Sequence, residues 1–152
     1  MLSARLVRII EEHAEDMTRS LLKQLLADDR AAALRRVPSD EMHRRVYDVY
    51  RNLGRWLGDK SEEAIATTYT ELGRKRFSEG IPLSQVVFAL IRVKDHLRDF
   101  IRTRGLVDSA VQLYQEEELQ LLVGHFFDRA IYHVVRGYEE AARLPLPTTA
   151  AG

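Results

Sequence analysis

Apolar residues recur at three- and four-residue steps along almost the whole chain, and nowhere do they alternate with polar ones long enough to make a strand. The pattern predicts an all-α, single-domain helical bundle of about five main helices, the last of them very long. The first covers roughly Ser3 to Leu26, with Leu6, Ile9, Ile10, Met17, Leu21 and Leu25 on one side. A polar linker holding Asp28, Asp29 and Arg30 leads through an alanine-rich turn to Pro38. Ser39 suits the cap of a second helix, which turns Met42, Val46, Val49, Leu53 and Trp56 inward and closes at Gly58. A third starts near Ser61, with that hydroxyl as cap and Glu62 and Glu63 at its positive end, and buries Ile65, Tyr69 and Leu72. A fourth spans about Leu83 to Thr103 on the stripe Val86, Val87, Leu90, Val93, Leu97 and Ile101, with Gly105 as its stop. The last begins after Asp108 or Ser109 and runs to about Ala142, with room for a break near Gln115. A helical domain over 1–143 and a disordered tail over 144–152 follow, because LPLPTTAAG cannot hold a regular helix.

Between the third and fourth helices lies the most informative stretch, LGRKRFSEGIPLSQVVFALIRVKDHL. Gly80 suits the left-handed residue that ends a helix, and Pro82 suits the first turn of the next. The corner brings Arg74, Arg76, Lys94 and His96 onto neighbouring helices with no catalytic motif among them. The last helix carries two apolar stripes. Leu119, Leu122, Val123, Phe126, Phe127, Ala130, Val134 and Gly137 share a broad core face at 100° per residue. Leu121, Gly124, Asp128, Ile131, Val135 and Tyr138 form a second line with the spacing of a helix-pairing seam. That seam is either the far side of a helix buried in its own bundle or the contact of a homodimer, with Gly124 permitting close approach and Asp128 setting a polar register. Tyr114, Tyr132 and Trp56 suit packing edges.

Charge and composition narrow the function. Lysine plus arginine equals aspartate plus glutamate at 23 each, so no long-range field favours nucleic acid. Cysteine is absent, which removes disulfides, thiolate nucleophiles and cysteine-bound metal. No apolar run is long enough to span a bilayer and no secretory signal precedes the first helix, which points to a cytoplasmic protein. No histidine has a glutamate three residues before it as a di-iron bundle needs, and no phosphate loop, zinc helix or nucleophile elbow is present. The expectation is a protein that is not an enzyme and holds no metal.

Polar groups inside the apolar stripes are the candidate ligand site. His13 sits among Ile9, Ile10 and Met17, Arg76 continues the Ile65, Tyr69 and Leu72 face, Lys94 lies near Leu90 and Leu97, and His133 edges the final core stripe. Together they could line a cavity for an anion or a carbonyl-rich small molecule. The competing reading bonds Arg76 and Lys94 to helix C-terminal carbonyls or to carboxylates such as Glu79 and Asp95, while their stems pack.

The LGRKRFSEGIPLSQVVFALIRVKDHL block and the later HFFDRAIYHVVRGYEEAA block resemble the RsbRD-type amino-terminal domain, the sensory half of stressosome proteins that antagonise RsbT. The likeness runs from about Leu6 to Arg143, and its signature is the corner of Arg74, Arg76, Gly80, Ile81, Pro82 and Leu83. It implies a sensory or regulatory module for stress signalling, globin-related or a simple bundle, dimeric, whose last helix feeds an output domain or a regulatory protein partner. Here only a proline-containing tail follows Arg143. The globin relation raises haem, for which His13 or His133 would be the inward ligand. Such domains resemble globins without holding haem, and no cofactor is expected.

Overall fold

The computed structural model describes residues 4–104 and 109–143, and among them every regular element is helical. In order they are α1 (Ala4–Glu12), α2 (Ala14–Ala27), a 3-10 segment (Asp29–Arg36), α3 (Ser39–Arg51), α4 (Leu53–Trp56), α5 (Glu62–Ser78), α6 (Leu83–Arg104) and α7 (Ala110–Arg143). The expected stop at Gly105, a start at Asp108 and the tail over 144–152 lie outside the described residues.

Two of the anticipated helices are each divided. The first breaks at His13, whose backbone turns to φ −100°, ψ 12°. Its ring Nδ1 donates to the Ile9 carbonyl at 2.8 Å, and its amide is shared between the Ile9 and Ile10 carbonyls, both at 3.1 Å. A side chain that competes for the carbonyl four residues back bends the helix at that point. The second breaks at Asn52, whose amide side chain turns back to Asp48 Oδ1 at 2.8 Å. The alanine-rich turn is the 3-10 segment, opened by the Asp28 carboxylate accepting from the Arg30 amide at 2.9 Å.

Both serine caps are corrected. Ser39 is the first residue inside α3, and the Pro38 carbonyl accepts from the Glu41 and Met42 amides at 3.1 and 3.2 Å. The Ser61 hydroxyl donates back to the Gly58 carbonyl at 2.7 Å instead of capping α5. α7 runs unbroken through Gln115, because Leu119 to Gly137 anchor it along one face for most of its length.

Its core stripe is buried as anticipated at Leu119, Val123, Phe126, Phe127, Ala130, Val134 and Gly137, while Leu122, expected on the same face, is only half-buried. Trp56 and Tyr69 pack on Phe126 with ring centroids 5.6 and 5.9 Å away, so Trp56 is a core residue rather than an edge. The most extensive packing in the molecule joins α5 to α7. Two glycines make it possible. A Cβ on Gly73 would overlap the Val134 carbonyl and lie 2.8 Å from the Tyr138 amide nitrogen. A Cβ on Gly137 would overlap the Thr70 carbonyl. The helices therefore touch backbone to backbone, and α5 is set rigidly against α7.

Candidate functional site

The corner after α5 is built from its dihedral angle upward. Gly80 has φ +73°, the one positive value among the described residues. Its amide donates to the Phe77 carbonyl at 3.0 Å and the Ile81 amide to the Arg76 carbonyl at 3.1 Å, the paired bonds of a Schellman helix end. A Cβ on Gly80 would meet nothing within 4 Å, so glycine is needed for its backbone angle and not for room. The Pro82 carbonyl then accepts from the Gln85 amide at 3.0 Å and starts α6 at once.

Three parts of the molecule are fastened to this corner. Arg36, at the end of the 3-10 segment, donates to the Gly80 carbonyl at 3.2 Å, and the Ala33 amide donates to Gln85 Oε1 at 2.7 Å. The Tyr138 hydroxyl, near the end of α7, donates to the Ile81 carbonyl at 2.8 Å, with its ring edge-on to Phe77. Arg74 donates to Glu140, two residues further along α7, at 2.7 Å. The final turns of α7 are thus fastened to the corner.

The third attachment is ionic. Arg76 is 2% exposed and reaches Glu41 Oε2 at 2.9 Å and Glu79 Oε1 at 2.8 Å. Glu41 also accepts from Lys75 at 2.8 Å and Arg45 at 2.9 Å. Burial pushes the Glu41 carboxyl up, but the hydrogen bonds from Lys75, Arg45 and Arg76 outweigh it and hold the carboxyl at about 2. The start of α3 is tied to the end of α5 by this cluster. At the other end of α3, Trp56 Nε1 donates to Asp48 Oδ2 at 3.1 Å while its ring meets Tyr69 of α5. Between these two ties a cleft of about 290 Å³ opens between α3 and α5, over α6 and Phe127 of α7.

The outer side of α7 is the other conspicuous surface. Leu121 is 75% exposed, Tyr114 64% and Tyr132 55%, and Asp128 lies between them in the open. Gly124 borders an open groove with Leu113, Leu121, His125 and Arg98, and a Cβ there would touch nothing.

The family model of the RsbT co-antagonist protein rsbRD N-terminal domain matches residues 15–147. The chain belongs to that family. No curated protein and no solved structure matches it, and the globin relation stays with the resemblance alone. The RsbRD N-terminal family is regulatory and tied to the stressosome. Its match holds the whole corner, α3, α5 and α7, and begins after His13, so the likeness read from Leu6 is shorter at its start. No helix among the described residues is long and apolar enough to cross a membrane, and no group of three or more acidic or imidazole side chains among them is placed to hold a metal.

Within this RsbRD-type domain the four polar residues expected to share a cavity are spread out. Arg76 is held by Glu41 and Glu79 at the corner, the pairing with Glu79 that the sequence offered as the competing reading. His13 lies 5.9 Å from the Phe100 ring, and Phe100 is seventeen residues, about 25 Å of helix, along α6 from Leu83 beside the corner. Lys94 is half-buried on α6, and His133 is half-buried on α7 against the Tyr132 ring. None of the four lines the cleft between α3 and α5, and no histidine does. His96 meets the Tyr50 hydroxyl at 3.3 Å, and burial first, then Arg92, lowers its pKa against the opposing charge of Asp99.

The seam on α7 divides. Leu121, Gly124 and Asp128 face outward, whereas Ile131 packs partly on the core, Val135 is half-buried and Tyr138 is drawn in to Ile81. The free line is better written Tyr114, Leu121, Asp128 and Tyr132, lying opposite the core stripe at 100° per residue. Sequence reasoning passed over Glu41 and Gly73 altogether. The signal for Gly73 was present, since a glycine in mid-helix costs stability unless something needs the room.

Proposed function

We propose that the chain is a non-catalytic sensory domain of stress signalling that works as a homodimer through the outer face of α7. In this reading a ligand or a regulatory protein partner shifts the helices around the Gly80 corner, and α7 carries the shift to an output domain or to that partner. The observation that carries it is the apolar line on α7 opposite its core stripe, with Leu121 75% exposed. A long helix that is apolar on both sides is wanted from both sides. A second copy is the favoured occupant, because a formal net charge of zero opposes no self-association and a two-fold contact lets the same line meet itself. The hydrogen bond from Tyr138 to Ile81 supports the coupling, since it joins the last turns of α7 to the corner.

Light scattering after size exclusion tests this. Wild type should run at twice the 17.5 kDa chain mass, and Leu121→Glu with Tyr132→Glu as a folded monomer. Both side chains are outside the core, so charge there leaves the fold intact. A wild type that stays monomeric at high concentration removes the dimer from the mechanism.

A further inference from the structure

We propose that the cleft between α3 and α5 binds a small monocarboxylate with a compact apolar body. Its floor is hydrocarbon: Val46, Val49, Leu72, Leu90, Val93 and Phe127. At about 290 Å³ it sits at the lower end of the roughly 300–1,000 Å³ typical of ligand pockets, room for one ring or a short branched chain. The polar groups around it are Arg44, Arg45, Asp48 and Thr68, with Tyr69. Arg45 is engaged by Glu41, and Asp48 by Trp56, Asn52 and Arg55. Three groups are left over. The Tyr69 hydroxyl belongs to a side chain only 6% exposed and has no hydrogen-bond partner among the described residues. Thr68 is likewise unbonded there, and Arg44 forms no ion pair with a described residue.

All three leftovers can donate. Arg44 can do nothing else, and the Tyr69 phenol keeps its proton because burial, then the negative charge of Asp48, raise its pKa against the weaker pull of Arg45. None of the three is a buried orphan, since each is open to the cleft or to solvent, but unpaired donors beside a hydrocarbon floor suit a ligand that brings acceptors at one end and none at the other. A carboxylate does this. Its oxygens take the Arg44 guanidinium at the mouth and the hydroxyls of Thr68 and Tyr69, and its body lies on Phe127 and the valines. The site differs from the Arg76, Lys94, His13 and His133 set, and it gives the proposed sensor a ligand class. Binding itself stands apart from the dimer, which enters only in what binding does. α3 and α5 are tied at Glu41 and at Trp56, and α5 is locked to α7 at Gly73 and Gly137, so filling the gap between the ties would press on the helix that carries the output.

The test is calorimetric titration of the full chain with 3-phenylpropionate and 4-methylpentanoate, beside the neutral amide of the first. At least one acid should bind saturably, and the amide should bind the same cleft about tenfold more weakly or worse, the worth of a charge-assisted contact. Arg44→Ala, at an exposed position, should cost the acid about tenfold and leave the amide unchanged. Tyr69→Phe, which keeps the ring and its packing, should weaken the acid several-fold. Saturable binding of neither acid, equal binding of acid and amide, or indifference to Arg44→Ala would each overturn the proposal. Repeating the titration on Leu121→Glu with Tyr132→Glu separates the two readings, because acid binding to a monomer keeps the cleft whatever becomes of the assembly.

Discussion

Gly80 is where a single dihedral angle decides the most. Because a Cβ would have open space around it, the cost of replacing it is backbone strain alone, about 1–2 kcal/mol for a β-branched residue in the left-handed region. Gly80→Val should lower the melting temperature with helix content kept, and Gly80→Asn should lower it less, since asparagine tolerates that region. Equal melting temperatures for all three proteins would contradict a Schellman end. At the ionic tie, removal of one partner is not symmetric. Glu41→Gln leaves a nearly buried Arg76 with only Glu79, whereas Arg76→Met leaves Glu41 with Lys75 and Arg45. Chemical denaturation should therefore find Glu41→Gln the more costly, on the order of 3 kcal/mol. Since the folded state holds Glu41 at about 2 against an ordinary 4.5, its stabilisation is complete above about 4.5 and is lost as the pH falls from there towards 2. Glu15, Asp28 and Glu140 are lowered too, so Glu41→Gln should shallow the acid limb without abolishing it.

Among the helices, the α5 and α7 pair fixes the geometry that the rest adopts. Gly73→Ala or Gly137→Ala forces a methyl into the opposite backbone, which cannot swing away like a side chain, and each should cost about 3 kcal/mol by thermal or chemical denaturation. Gly124→Ala on the outer face should instead be neutral or stabilising by about 0.5–1 kcal/mol, through helix propensity alone. If all three behave alike, the helices do not cross at those glycines. The same elements show what the sequence could tell. α6 was legible from Leu83 onward because Val86, Leu90, Val93, Leu97 and Ile101 repeat without interruption, and so was the core stripe of α7. The breaks at His13 and Asn52 were not, because each depends on a side chain returning to its own helix inside an apolar period that continues across it. The Gly80 end could be read from local residues; Arg76 with Glu41 could not, being a contact across 35 positions. The cleft was invisible for the same reason, since its walls come from four helices.

Membership in the RsbRD N-terminal family rests on a match over residues 15–147, and within that match the Gly80 corner is where α3, the 3-10 segment and the end of α7 are fastened together. What the domain does with that junction depends on whether α7 meets a second copy. Because the chain has no cysteine, one introduced thiol is the only one present, and its reactivity reports one place. Leu121→Cys, treated with a short bismaleimide at a concentration where light scattering reads a dimer, is the most direct measurement. The account predicts a covalent dimer from Leu121→Cys and none from Ala64→Cys, which is exposed on α5 away from the seam. A Leu121 thiol that stays unlinked in a protein that is dimeric, or cross-linking equally strong from Ala64, would contradict pairing through the outer face of α7.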